Sequence, residues 1–361
     1  MIARWKVQRE FARLRQQLRA VPEFFWEPFA RRRHDRSLAQ GLATTSGKHP
    51  IAPKIALVLL YQPRGLARST ILMCQHLVAN GYAVLAISNA PLSDADRTDL
   101  ASHVWRIIER PNFGYDFGGY RDGLWHLSHW GIKPERLVIL NDSIWFPLRK
   151  DDDTLARMET MDVDVAGTVL RHRGAERFLE SYLYSIRGTV LEHPGFRTFW
   201  RDLRLTSNKY KVIRRGERGF SAALIAAGLR IGGLFTLDAF KAGIAAASDH
   251  DLRLFLRFTA HQDDRIVQEG RALAQQPESD IWRDHAQSYI ERLLAKGQFY
   301  SSLPVAAVRL LGYPIMKKSS EPVSAQWRAM YVSAVRARVL EQPTQPVFSE
   351  IMTNFDKAPQ Q

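Results

Sequence analysis

The sequence predicts an α/β protein: a doubly wound, mostly parallel sheet with a basic N-terminal helix and a mainly helical C-terminal region. Three observations carry this reading. From residue 54 onward, short continuous apolar runs alternate with segments of helical period, the β-α-β-α-β rhythm of a parallel sheet. A strand-like run, Val104–Ile108, leads into the polar, glycine-rich stretch Arg110–Leu124, and sheets of this kind bind ligands where strands end. The longest strongly apolar run, Ile55–Tyr61, is far too short to cross a bilayer.

In chain order, residues 1–36 read as a basic appendage. Val7, Phe11, Leu14, Leu18 and Val21 share one helix face, and arginines cover much of the rest. The aromatic cluster Phe24-Phe25-Trp26 and then Arg31-Arg32-Arg33 follow. Such a helix either lies on an anionic membrane surface or packs on the core with a solvated basic face. Residues 41–53 read as a linker. Ile55–Tyr61 reads as a buried strand, 66–80 as a helix stopped by Asn80-Gly81, and Tyr82–Ser88 as a second strand. Val104–Ile108 is a third strand, Gly119–Trp130 a helix and Leu137–Leu140 a fourth strand. Farther on, Val163–Val169 and Ser181–Arg187 read as strands, and Pro194–Leu203 and Glu217–Ala227 as helices. The expected organisation is an N-terminal extension and linker over 1–53, an α/β domain over 54–249, and a helical region with a polar tail over 250–361.

Composition narrows the function. With 51 Lys and Arg against 37 Asp and Glu, the chain of 361 residues carries a net charge of +14, and residues 1–40 hold ten of the basic residues against four acids. That balance suits an anionic partner. No zinc-finger or RNA-recognition pattern accompanies it, so no nucleic-acid partner is expected. The single cysteine, Cys74, excludes an internal disulfide and a cysteine zinc site. The N-terminus leads into alternating charge and not into an apolar signal core. The expected location is cytoplasmic, with residues 1–36 a candidate peripheral contact to the inner face of the cell membrane. There is no Gly-x-Gly-x-x-Gly after the first strand and no Walker lysine motif.

Three stretches carry candidate chemistry. Asn112, Gly114, Asp116 and Tyr120 lie among the glycines, which can bring a ligand close to the backbone or simply cap a helix. Asn141-Asp142-Ser143 sits where a buried strand emerges. Asp142 there could hold Mg2+ or Mn2+ beside a diphosphate, or the three residues could form an ordinary turn. Glu217 opens a segment expected to be a helix, and a Glu at a helix N-terminus is either a surface residue favoured by the dipole or a functional carboxylate.

Glu217–Ile231 resembles the E-D-x-x-L-S-x-R-L-x-x-x-G-x-x-I segment of inverting GT-A glycosyltransferases, with Ser221 and Gly228 in register. The resemblance puts Glu217 on the catalytic base. Gly216 stands in place of the preceding acid and Ala223 in place of the Arg. Taken together, Asn112–Leu124, Leu140–Ser143, Ser181-Tyr182, Glu217–Ser221 and Gly312–Lys318 resemble, in order, the motifs of the rhamnan synthesis protein F family. Gly119 departs from the Ala common there, Phe117 is a bulky neighbour to the glycines, and the Asp-x-Asp metal motif is absent. The resemblance implies a GT-A-like fold and transfer of a sugar, rhamnose, from a nucleotide-diphosphate donor to a cell-surface polysaccharide or lipid-linked glycan. It implies donor contacts at Asn112, Gly114, Asp116, Tyr120, Asn141, Asp142 and Ser143, and an acceptor side at Ser181 and Tyr182. Basic side chains such as Lys209–Arg215 could neutralise the leaving diphosphate, or form a solvated loop. The alternatives are a non-catalytic scaffold for polysaccharide assembly and a basic protein binding nucleic acid or anionic lipid.

Overall fold

The computed structural model describes residues 21–356, apart from Glu278, Asp280 and Lys296. Its centre is an eight-stranded sheet. In chain order the first elements are helix α1 (Val21–Gln40), strand β1 (Ala43–Ser46), β2 (Lys54–Leu60), helix α2 (Arg68–Ala79), β3 (Tyr82–Ser88), helix α3 (Asp94–Ala101), β4 (Arg106–Glu109), helix α4 (Tyr115–His129) and β5 (Arg136–Asn141). The later strands are β6 (Ile144–Trp145), β7 (Val165–Gly167), the hairpin β8 (Leu170–Arg173) and β9 (Glu176–Leu179), β10 (Leu183–Arg187), β11 (Ile231–Gly233) and β12 (Met316–Lys317). The sheet order is β1-β4-β3-β2-β5-β10-β7-β11. The β4-β3-β2-β5 heart is parallel, as expected of a doubly wound α/β fold, and β10 runs antiparallel between β5 and β7.

Alternation along β2 explains the layers. Ala56, Val58 and Leu60 face one core, while Ile55, Leu57 and Leu59 face the other. The first core takes α2 and the helices of residues 237–356. The second takes α4 and the helices Pro194–Asp202 and Gly219–Ala226. A strand buried on both faces has no polar alternation, which is why these strands read as continuous apolar runs.

Residues 43–46, inside the stretch expected to be a linker, form an edge strand paired with β4. Thr44 and Thr45 suit an edge, and the run is too short and polar to signal a strand on its own. Helix α4 begins at Tyr115, ahead of the expected Gly119, because Gly114 caps it in the left-handed region (φ +79°). The glycines inside α4 serve packing. A Cβ at Gly119 would meet Leu59 Cδ1 at 2.1 Å, and one at Gly123 would meet Ile87 Cδ1 at 2.3 Å. They let the helix settle on β2 and β3. Cys74 is fully buried in α2, as a small core residue, and burial pushes its thiol up to about 12.

Candidate functional site

The site forms where the parallel strands end. Tyr61, Asn89, Arg110 and Asn141 directly follow or close β2, β3, β4 and β5, so the four ends share one edge. Because β10 is antiparallel to β5, with Leu183 opposite Leu140, its beginning lies beside the end of β5. That geometry brings Ser181 and Tyr182 to Asn141.

Asn141 is the hub. Its Nδ2 donates to Tyr120 Oη at 3.0 Å and to Asp116 Oδ2 at 3.2 Å. Its Oδ1 accepts the Ser143 N–H at 3.1 Å and the Ser143 hydroxyl. The Tyr120 hydroxyl donates to the Ser181 carbonyl at 3.1 Å. Ser181 in turn gives both its N–H (3.0 Å) and its hydroxyl (2.8 Å) to Glu217 Oε2. Among the described residues, Glu217 Oε1 has no hydrogen-bond partner. A connected polar chain thus runs from Asp116 through Asn141, Tyr120 and Ser181 to Glu217.

The candidate residues divide by exposure. Asn112 and Ser143 are exposed, and Asp116, Asp142, Ser181 and Glu217 are half-buried. Gly114, Tyr120, Asn141 and Tyr182 are buried and frame the site from behind. The Tyr182 ring lies in the core with its hydroxyl 2.8 Å from that of Tyr313.

Glu217 does not stand at a helix N-terminus. Helix Lys209–Ile213, a π-turn Arg214–Arg218 and helix Gly219–Ala226 run on continuously, and Glu217 sits inside the wide turn. The local sequence reads as a start because Gly216 and Gly219 flank it, whereas packing carries the helix through. The same helix takes up the basic segment. Lys211 and Arg215 bind Glu27 of α1 at 2.9 and 3.0 Å, and Lys209 lends its charge to Asp116.

Three carboxyls here are pushed upward. Burial, then the neighbouring Asp142 charge, raises Asp116 to about 6, with Glu217 adding and Lys209 opposing. Burial raises Asp142 against hydrogen bonds that include the Tyr61 N–H, which lies 2.9 Å from Oδ2. Burial raises Glu217 against its two Ser181 bonds, and the Glu180 charge adds. Strand β12 pairs with β6 and carries Lys318 to the site. Its N–H donates to the Ser143 carbonyl at 2.8 Å, and its charge opposes the rise at Asp142. Among the described residues, no group of three or more His, Cys, Asp or Glu could hold a metal ion.

Sequence reasoning passed over Asn89 and Arg110 as site residues. Asn89 Nδ2 donates to Asn112 Oδ1 at 3.2 Å, and Arg110 Nη2 donates to the Phe113 carbonyl at 2.6 Å. A polar residue just beyond the all-buried strand β3 is a signal that could have found Asn89.

The comparisons agree with the motif order. Residues 84–254 match the rhamnan synthesis protein F family. The match takes in all the candidate site residues and stops short of Lys318. A protein of Sinorhizobium fredii described as uncharacterized protein y4gN is 35% identical over 248 residues, covering 67% of this chain and 65% of that protein. The alignment therefore spans just under two thirds of the relative's length. Among solved structures, the mannosyltransferase PcManGT of Pyrobaculum calidifontis, in complex with GDP-Man and Mn2+, is similar at 13% identity and TM-score 0.31, over 94% of this chain and 98% of that one. TarS 1–349 of S. aureus, in complex with UDP-GlcNAc, is similar at 11% identity and TM-score 0.33, over 84% and 89%. These scores are low, and the fold described above rests on its own strand order.

Proposed function

We propose that the protein is a GT-A-type glycosyltransferase that moves a sugar from a nucleotide-diphosphate donor to a glycan acceptor, with inversion. The carrying observation is the meeting of Asp116, Asp142 and Glu217 at the carboxyl edge of the parallel strands, where burial raises all three and the Asp142 and Glu217 charges add at Asp116. Such an edge favours a cationic or polyhydroxylated ligand at its carboxylates, and nearby Lys209 and Lys318 favour a phosphate beside it. The family's description, a rhamnan synthesis protein, supports rhamnose as the sugar, and in this reading the acceptor is a cell-surface polysaccharide or a lipid-linked glycan.

In this reading the sugar nucleotide lies across Asn112, Asp116, Asp142 and Ser143, and the acceptor approaches from Ser181. Glu217 Oε1 takes the proton of the acceptor hydroxyl, whose oxygen bonds to the anomeric carbon as the bond to the diphosphate breaks. The two Ser181 bonds hold Oε2 and so aim Oε1. Its raised affinity for a proton makes Glu217 a better base than a free glutamate. Lys209 and Lys318 are the cations available to the leaving diphosphate.

One or two carboxylates plus substrate phosphates are a usual set for Mg2+, so Asp142 with Asp116 fits a Mg2+ or Mn2+ completed by the donor. Bound there, the ion would neutralise charge developing on the diphosphate.

Exposed Trp26 and Phe29, with exposed Arg32, Arg33 and Arg36, support peripheral attachment to an anionic membrane face through α1. Most of residues 1–36 that motivate this contact lie outside the described residues. Among the described residues no helix is long and apolar enough to cross a membrane. We further read residues 1–53, 54–249 and 250–361 as extension, catalytic domain and helical region.

The test is a thermal-shift titration with a panel of nucleoside diphosphates and their sugars. A rise in Tm with at least one sugar nucleotide, lost in Asp116→Ala and Asp142→Ala proteins that still fold, supports the reading. No shift with any member of the panel contradicts it.

A further inference from the structure

A second buried network lies behind the site and starts on α1. His34 is 6% exposed, Arg110 4% and Asp122 0%. Asp122 Oδ2 accepts from His34 Nε2 at 2.7 Å and from Arg110 Nε at 2.6 Å. The Arg110 fork then reaches Asn89 Oδ1 through Nη1 at 2.5 Å and the Phe113 carbonyl through Nη2 at 2.6 Å. Asn89 passes the constraint on to Asn112 Oδ1 and to the Tyr115 carbonyl, at 3.2 and 3.4 Å. The His34 ring also packs on the Phe113 ring, with centroids 5.2 Å apart. One helical residue thus touches Phe113 directly and, through the three buried side chains Asp122, Arg110 and Asn89, fixes both flanks of the Asn112–Tyr115 loop.

We propose that His34 is a positioning residue for the sugar-nucleotide loop, so that helix α1 is a working part of the donor site as well as a candidate membrane contact. This rests on the reading of Asn112–Tyr120 as donor-binding. A planar guanidinium can hold two acceptors at fixed angles only if its own orientation is fixed. Asp122 fixes it, and His34 fixes Asp122. Burial would raise the Asp122 carboxyl, yet the His34 bond and the Arg110 charge hold it below its usual range. Among the described residues Asp122 Oδ1 has no partner of its own, so losing His34 leaves a buried carboxylate held from one side only. The rest of α1 is tied down independently: Asp35 binds Arg121 at 2.7 Å, and Glu27 binds Lys211 and Arg215. Removing His34 therefore releases the loop without undocking the helix.

The experiment compares wild type, His34→Ala and His34→Gln in the full chain. The Gln amide nitrogen stands about where imidazole Nε2 does and restores the bond to Asp122. Amide hydrogen exchange is read at residues 112–115 and along α1, and affinity is measured for the sugar nucleotide that shifts Tm. The expected result is faster exchange at 112–115 and roughly tenfold weaker donor binding in His34→Ala, with α1 protected and both effects reversed in His34→Gln. Unchanged exchange at 112–115 in His34→Ala overturns the proposal, as does a loss of protection along all of α1 that Gln does not restore. Should the loop respond while wild type binds no sugar nucleotide, the positioning role stands and the donor reading falls.

Discussion

The Phe117 ring fills the space against Gly216: a Cβ added at Gly216 would stand 2.4 Å from Phe117 Cδ2 and 2.5 Å from Cγ. Gly216 stands where the inverting GT-A segment has an acid, and Phe117 is the bulky neighbour to the glycines of Asn112–Leu124. An acid ahead of Glu217 has no room beside this ring, so the bulky Phe117 and the bare Gly216 form one packing solution. Phe117 also stacks on Trp200 with centroids 5.8 Å apart, which ties the π-turn of Glu217 to the helix Pro194–Asp202.

Gly216→Ala should therefore destabilise the protein, although Ala favours helices. Overpacking typically costs about 1–3 kcal/mol, against a helical gain of about 1 kcal/mol. Chemical denaturation should show a lower midpoint, partly recovered when Phe117→Leu is added. A Gly216→Ala protein as stable as wild type would mean that the ring yields freely.

The raised Asp116 carboxyl predicts a pH dependence of stability. In the folded protein it keeps its proton to about pH 6, whereas the ordinary value is 3.8. Between these values the native state binds more protons than the unfolded state, so stability falls as pH rises through the window. Asp116→Asn removes the charge at constant shape. It should raise stability at pH 7 by the order of 1 kcal/mol, add nothing at pH 3.5, and weaken donor binding. A parallel shift at both pH values would show that burial and repulsion of the Asp116 charge are not the cause.

Much of this was legible in the chain, for identifiable reasons. Tyr82–Ser88 was read with its observed ends because all seven residues are buried and Gly81 precedes them. Asn112, Asp116, Asn141, Ser181 and Glu217 were singled out as separate motifs, and strand topology brings them together. What stayed hidden depends on tertiary contact. The glycines at 119 and 123 of α4 are explained only by Leu59 and Ile87 beneath them, and the bare Gly216 beside Glu217 only by Phe117. The role of His34 needs Asp122, 88 residues away in sequence.

Metal use is open to a direct check. If Asp142 and Asp116 hold an ion with the donor diphosphate, excess chelator should lower turnover and added Mn2+ or Mg2+ should restore it, while Asp142→Asn should be insensitive to both. Full turnover by wild type in chelator would leave Lys209 and Lys318 as the charges that serve the leaving group.

Membrane attachment makes a separate prediction. Trp26 is 68% exposed and Phe29 63%, with ring centroids 6.2 Å apart. Sedimentation with anionic vesicles should show binding that weakens with salt and drops in the Trp26→Ala/Phe29→Ala protein. Binding equal to wild type in that variant and in a protein lacking residues 1–36 would deny this segment such a role.

The central claim is that Glu217 is the base of a sugar transfer, and donor turnover by Glu217→Gln tests it most directly. Gln keeps the shape and can still meet Ser181, but it cannot accept the proton. The account predicts sugar-nucleotide affinity close to wild type, a turnover lower by roughly 10²–10⁴-fold, and loss of the acidic limb of the wild-type pH profile, which should lie above the ordinary glutamate value. Near-normal turnover by a folded Glu217→Gln protein would contradict it.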